Sequence, residues 1–195
     1  MEKVILNLGC GKTRIPGSIG VDSVPIDDFV DQVHDLDVLP YPFESSSADE
    51  IHLYHVLEHL HDPVKKIEEM HRILKPQGVL YIRVPHFSSR GAFTDITHLR
   101  PYGFESFNCF VLGDEQDYYT KARFKILFRQ IKYFGMFQNN GPYEKYVNPN
   151  RLHWVLRGPG AIMNWLISLS PKAFERFWCY WVGGAVELVV DLQKT

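Results

Sequence analysis

Val4-Ile5-Leu6-Asn7-Leu8 runs straight into Gly9-Cys10-Gly11. A nearly unbroken apolar run of strand length marks a strand buried on both faces, the kind found in parallel sheets rather than in half-solvated antiparallel ones. Ser18-Ile19-Gly20-Val21-Asp22 and a run around Asp31 to Asp35 follow, both ending on an acid, and Glu50 to Tyr54 has strand character. The first helix signal is Asp62 as N-cap with Pro63 at the first helical position; Val64, Ile67, Met70, His71 and Leu74 then recur at helical spacing. Val79 to Val84 reads as a further buried strand, stopped by Pro85. Strands alternating with helices or loops predict an α/β domain on a mostly parallel sheet, in which ligands bind beyond the carboxyl ends of the strands. That places Gly9, Gly11, Asp22, Asp35, His55 and His86 where a site belongs.

Beyond Pro85 the pattern weakens. Residues 86 to 120 form a long, partly irregular connection; Phe124 to Ile131 and Ala185 to Leu192 suit strands, the latter terminal. Gly141-Pro142 and Asn148-Pro149 punctuate a loop, and 160 to 181 reads as helical with a break at Ser170-Pro171. One domain is expected over 1–195, with a half at 1–85, a second half at 86–195, and a helical insertion over about 141–182. The halves differ in composition. The first 85 residues hold 14 acidic against 8 basic side chains and 5 of the 27 aromatics, the other 110 hold 9 acidic against 13 basic and the remaining 22 aromatics. The formal net charge of -2 supplies no basic field for nucleic acid, and none is expected as partner. Three widely spaced cysteines suit neither a disulfide framework nor a zinc site. No stretch reads as a signal peptide or a bilayer span, and the expectation is a cytoplasmic protein.

Glycines directly after a buried strand let the backbone approach a ligand closely and leave amides free to bind it. Three cofactor readings compete for them. Gly11-Lys12-Thr13 supplies the end of a phosphate-binding Walker loop, but the glycine required five residues earlier is Leu6. A dinucleotide fingerprint needs a glycine at position 14, which is Arg14, and an acid about 20 residues on, whereas Asp22 lies closer. The third reading joins the glycines to the acids: a nucleoside needs a carboxylate for the ribose hydroxyls, a polar group for the adenine edge, and apolar walls.

Taken in order, Leu6-Asn7-Leu8-Gly9-Cys10-Gly11, Gly20-Val21-Asp22, His34-Asp35-Leu36 with Leu39-Pro40, Val56-Leu57-Glu58-His59, and Leu74-Lys75-Pro76-Gln77-Gly78 resemble class I S-adenosylmethionine-dependent methyltransferases. The resemblance covers residues 4 to 85. It implies a Rossmann-like, mostly parallel sheet with helices on both faces, an antiparallel terminal strand, and a helical or irregular insertion before it. It also implies S-adenosylmethionine as cofactor. Asn7, Gly9, Cys10 and Gly11 would form the loop at its methionine part, Asp22 would take the ribose hydroxyls, Asp35 the adenine amino group, the Leu36 backbone an adenine ring nitrogen, and His55 would face the methionine moiety or the sulfonium. Two departures stand out: Lys12 to Ser18 is too short for the usual first helix, and Gln77 replaces a common glycine.

Methyl transfer to a hydroxyl benefits from a base. His86, and His98 with Asp95 three residues before it, are the catalytic candidates; the alternative for His98 is a loop histidine bonded to backbone. Glu58, His59 and His61 are metal-ligand types, but on a helix Glu58 and His59 would diverge by about 100° and no full ligand set is recognisable, so no metal is expected. Lys121, Arg123, Lys125 and Arg129 would share the outer face of a strand whose Phe124, Ile126 and Phe128 face the core: a solvated edge first, an anion contact second. The aromatic stretch from Trp165 to Trp181 reads first as core, then as substrate pocket, dimer face or peripheral membrane anchor. The expected function is a methyltransferase for a small-molecule or glycan-like acceptor. The alternatives are a catalytically silent member that binds cofactor or a partner as a subunit, and a nicotinamide oxidoreductase.

Overall fold

The computed structural model describes residues 3–133, 157–181 and 184–195. Its centre is a seven-stranded sheet built from β1 (Ile5–Leu8), β2 (Ser18–Asp22), β3 (Gln32–Val33), β4 (Ala48–Tyr54), β5 (Leu74–Pro85), β6 (Phe124–Lys132) and β7 (Glu187–Lys194), in the order β3-β2-β1-β4-β5-β7-β6. The first five strands are parallel, and β7 runs antiparallel to both β5 and β6. Strands from both halves of the sequence therefore share one sheet. All four residues of β1 are buried, as its apolar run requires. The chain reverses direction in the sheet between β3-β2-β1 and β1-β4, which leaves a crevice at the carboxyl ends of β1 and β4.

Helix α1 (Pro63–Ile73) crosses from β4 to β5. Asp62 caps it, accepting from the Lys65 amide at 3.3 Å, Pro63 opens it, and Ile67, Met70 and Ile73 are buried against the sheet. Each such side chain contributes about 1.5–3 kcal/mol by burial. The connections β1–β2, β2–β3 and β3–β4 carry turns in place of helices, so the absence of a helix extends beyond the short Lys12 to Ser18 segment. Strand β5 begins at Leu74 rather than Val79, taking in the expected turn, and Gln77 there has φ +66°, the left-handed conformation a glycine adopts without cost.

Two expectations for the second half change. β6 carries a bulge between Ile126 and Phe128, which inverts the facing of the residues after it: Ile131 and Lys132 are buried while Leu127 and Phe128 face outward. Arg129 consequently lies over the Phe104 ring, 4.0 Å from its centre, and donates to Asn108 Oδ1 at 2.6 Å, rather than standing in a solvated basic edge. After the short α2 (Gly91–Thr94), the aromatic stretch forms α3 (Arg157–Leu169), a short α4 (Pro171–Ala173), a π-helical turn (Phe174–Trp178) and α5 (Cys179–Trp181), broken at Ser170 as expected. It is not core: Phe174 is buried, but Trp165, Leu169, Phe177, Tyr180 and Trp181 are more than half exposed, and the apolar face borders a cavity of about 500 Å³. The loop expected around Gly141-Pro142 and Asn148-Pro149 lies outside the described residues, as do 141–156 and 182 of the insertion expected over about 141–182. Among the described residues no helix is long and apolar enough to cross a membrane. Cys10, Cys109 and Cys179 are all free thiols.

Candidate functional site

The loop after β1 is tighter than its glycines alone suggest. Gly9 and Cys10 both donate to the Val21 carbonyl, at 2.8 and 3.1 Å, and Gly11 donates to Asp22 Oδ2 at 2.8 Å. The amides are thus used internally, and what the loop offers a ligand is close approach. Gly9 has φ +66°, and a Cβ there would lie 2.3 Å from Val56 Cγ2; Gly11 has φ +51°, and a Cβ would project into open space. Asn7 is buried and buttresses the loop by donating to the Thr13 carbonyl at 2.9 Å. Cys10 is buried too, its thiol turned to the Phe29 carbonyl and its pKa pushed up to about 11 by burial and by Asp22. Asn7 and Cys10 therefore shape the loop, with both side chains buried and engaged by backbone carbonyls of the protein.

Asp22 closes β2 beside Gly11. Its second oxygen faces the Val24 amide at 3.3 Å, and a carboxylate with this few partners retains acceptor sites for a pair of hydroxyls. Asp35 lies past β3 and is exposed, with Oδ1 accepting from the Asp37 amide at 2.9 Å. Leu36 next to it is buried, and its carbonyl accepts from the Tyr41 hydroxyl at 2.9 Å. The structure brings Gly9, Gly11 and Asp22 together at one end of the sheet, with Asp35 and Leu36 following the neighbouring strand.

Val56 packs on Gly9 and directly follows His55, which opens on a second cavity of about 400 Å³. His55, Glu58, His59, Ser89, Asp95 and His98 line it. His55 follows β4 directly, has φ +56°, and its Nε2 lies 2.9 Å from Glu187 Oε1 on β7. Burial disfavours its charged form, but Glu187 and Glu58 outweigh that and hold its pKa at about 9. Burial likewise opposes ionisation of Glu187, but His55 and two hydrogen bonds from Arg83 keep its pKa down at about 2. The wall of the cavity is therefore a cation held by a buried carboxylate.

Residues 55 to 62 are turns, not the helix that the spacing argument assumed for Glu58 and His59, because Pro63 starts the helix only afterwards. Three hydrogen bonds stitch these turns to the loop after β5: Leu99 N to Glu58 O at 2.8 Å, Arg100 Nη1 to Leu60 O at 2.6 Å, and Tyr102 Oη to Leu57 O at 3.2 Å. They carry His98 to Glu58 and His59: His98 Nε2 is 3.9 Å from Glu58 Oε1, and the two imidazoles meet edge to face at 4.6 Å. Asp95 lies 3.7 Å from His98 Nε2, an ion-pair separation; its hydrogen bonds go instead to the amide and hydroxyl of Thr97, at 2.9 and 2.6 Å. The Thr97 hydroxyl also meets His59 Nδ1 at 2.9 Å, and the hydrogen bonds of Thr97 lower the Asp95 pKa. His86 is elsewhere: fully buried, with Nδ1 on Ser88 Oγ at 2.7 Å and Nε2 on Glu175 Oε1 at 3.0 Å, it ties the sheet to the π-helical turn. Glu58, Glu187 and Thr97 were not picked out as catalytic-site residues; Val56-Leu57-Glu58-His59 was the visible signal for the first of them.

Residues 22–82 match the model of the methyltransferase domain family. No curated protein matches the chain at a significant level. Among solved structures, a S-adenosylmethionine-dependent methyltransferase from Archaeoglobus fulgidus superposes with a TM-score of 0.53 at 18% identity, covering 98% of this chain and 86% of that one. The complex of a methyltransferase with the Haloferax volcanii Trm112 methyltransferase activator gives 0.52 at 15%, covering 98% and 82%. The [4+2]-cyclase SpnF gives 0.54 at 17%, covering 98% and 75%. Strand order, family match and these likenesses define a class I S-adenosylmethionine-dependent methyltransferase fold, with its methyltransferase domain signature over residues 22–82. S-adenosylmethionine is accordingly the expected cofactor. The residues present fit it: a glycine with open space at its Cβ position stands beside a strand-end carboxylate, and a buried apolar residue follows the next acid.

Proposed function

We propose that this protein transfers a methyl group from S-adenosylmethionine to a hydroxyl-bearing small-molecule or glycan-like acceptor. The observation that supports it most is that Val56, packed on Gly9, directly follows His55, a lining residue of a cavity where His55, Glu58, His59, Ser89, Thr94, Asp95 and His98 supply hydrogen-bonding side chains. Asp22 holds the ribose, Asp35 and the Leu36 backbone hold the adenine, and Gly9 and Gly11 let the methionine part approach the backbone. The bound cofactor supplies an electrophilic methyl group on a sulfonium, so the chain's task is to orient the acceptor and exclude water. His55, Ser89, Asp95 and His98 give a polyhydroxylated acceptor its partners. His98 is the pocket imidazole that takes the acceptor's proton as the new bond forms, with Glu58 and Asp95 to stabilise its charge.

Calorimetric titration with S-adenosylmethionine and S-adenosylhomocysteine tests the cofactor assignment. Asp22→Ala removes charged hydrogen bonds worth about 1.5–3 kcal/mol, a loss of about 10- to 100-fold in affinity. Unchanged affinity in that variant would overturn the assignment. Release of S-adenosylhomocysteine with a panel of sugars and polyols tests the transfer; binding of cofactor with no turnover on any acceptor favours a silent cofactor-binding subunit, a reading consistent with a fold that a [4+2]-cyclase also carries.

A further inference from the structure

Glu58 is 1% exposed, and among the described residues neither of its side-chain oxygens accepts a hydrogen bond. The nearest cation is His55, whose Nδ1 lies 3.5 Å from Oε1, beyond a good hydrogen bond, and whose other nitrogen is held by Glu187, so the buried carboxylate keeps acceptor positions for a further positive partner. His98 Nδ1 is a second buried polar atom without a hydrogen bond, one ring away. Together with His59 these residues each offer a ligand atom, and the three atoms lie within 4.8 Å of one another. Donors around one ion at about 2.1 Å lie some 3–4 Å apart, so the cluster needs to close by only about an ångström.

The chemistry of the neighbours fits a metal-binding arrangement. The Thr97 hydroxyl has one proton and gives it to Asp95 Oδ1 at 2.6 Å, so towards His59 it can only accept. His59 Nδ1, 2.9 Å away, must then carry the ring proton, which leaves the Nε2 lone pair available. A histidine whose far nitrogen is tied through a hydroxyl to a carboxylate is oriented as metal-bound histidines are. The cluster also opens on the 400 Å³ cavity, so a ligand position faces the acceptor.

We propose that Glu58, His59 and His98 bind one divalent transition-metal ion of the zinc type, with its open position directed into the acceptor cavity. Two imidazoles and one carboxylate suit such an ion, whereas magnesium or calcium would want a shell of oxygens. The inference rests on reading this cavity as the acceptor site and refines it: in the loaded protein His98 is a ligand, an acceptor hydroxyl takes the open position, and the ion polarises it so that its proton leaves to water. In the metal-free protein His98 itself takes that proton. This revises the expectation of no metal, whose premise was that Glu58 and His59 share a helix.

The test is calorimetric titration of zinc chloride into full-length protein stripped with a chelator, with the same titration of S-adenosylhomocysteine as a check of folding. One zinc per chain is expected, weakened at least about tenfold by each of Glu58→Gln, His59→Gln and His98→Gln. His61→Asn, which alters only the surface pair with Asp37, should leave it unchanged. Cobalt substitution should give the visible absorption of a low-coordinate site, lost in His98→Gln. Substoichiometric zinc, or equal affinity in the three variants while they still bind S-adenosylhomocysteine, would overturn the proposal. If Glu58→Gln fails to fold, the two histidine variants decide. Failure of the wild type to bind S-adenosylhomocysteine while zinc binds as expected overturns the methyltransferase reading alone.

Discussion

Gly9 and Gly11 sit two residues apart in the same loop, both with positive φ, and yet do different jobs. At Gly9 a methyl would drive into Val56; at Gly11 it would meet nothing within 4 Å in the protein. Gly9→Ala should therefore combine left-handed strain of about 1–2 kcal/mol with a steric cost of similar size, lowering thermal stability clearly. Gly11→Ala should incur only the strain, about 1 kcal/mol, but occupy the space left for the cofactor. Differential scanning fluorimetry with and without S-adenosylmethionine separates them: the Gly11 variant should melt near wild type and lose the ligand-induced rise. A Gly11 variant that keeps the rise would show that the cofactor lies elsewhere. The local pattern Leu8-Gly9-Cys10-Gly11 was legible as a ligand loop, but the internal use of its amides was not, since Val21 and Asp22 reach them only once β2 pairs with β1.

At the scale of elements, α1 is the part most directly written in the sequence: cap, first-turn proline and apolar spacing all predicted what is found. Asp62 has φ +47° and caps through its carboxylate, a pairing that aspartate and asparagine tolerate better than alanine. Asp62→Ala should cost about 1–2 kcal/mol by chemical denaturation and Asp62→Asn much less; equal losses would mean that the cap contributes nothing. β6 was harder to read. Its alternation of Lys125, Arg129 and the phenylalanines looked like a simple outer face, but the bulge between Ile126 and Phe128 shifts the parity by one residue. Bulges follow from pairing with β7, which lies 55 or more residues further along the chain, so no local pattern announces them.

Across the whole molecule, the antiparallel pairing of β5, β7 and β6 creates buried charge that the halves alone do not contain. Asp191 on β7 stands opposite Tyr81 of β5, and burial, only partly offset by Lys132, raises its pKa to about 6. Its folded pKa exceeds the ordinary value, so the folded state holds this proton more tightly. Any penalty is absent below about pH 4 and fully present once the pH has risen through 6. Asp191→Asn should stabilise the protein by about 1–3 kcal/mol at pH 8 and leave it unchanged near pH 4. Melting temperatures measured at both ends decide; a gain at low pH would contradict the burial account. The exposed aromatic face of α3 to α5 is the second large-scale result, since a stretch this apolar reads as core until the fold shows that only Phe174, Ile167 and a few neighbours turn inward.

Sequence by itself determined the order of strands and helix, the glycine loop, the strand-end acids and the nucleoside-binding reading, because each depends on residues within a few positions of one another. Tertiary structure alone decided the rest: that His98 joins Glu58 and His59, that His86 ties sheet to cap instead of lining the cavity, and that His55 faces Glu187. Those contacts span from 39 to 132 positions of chain. They exist because parallel strands bring distant loops to one end of a sheet, which spacing along a chain does not encode.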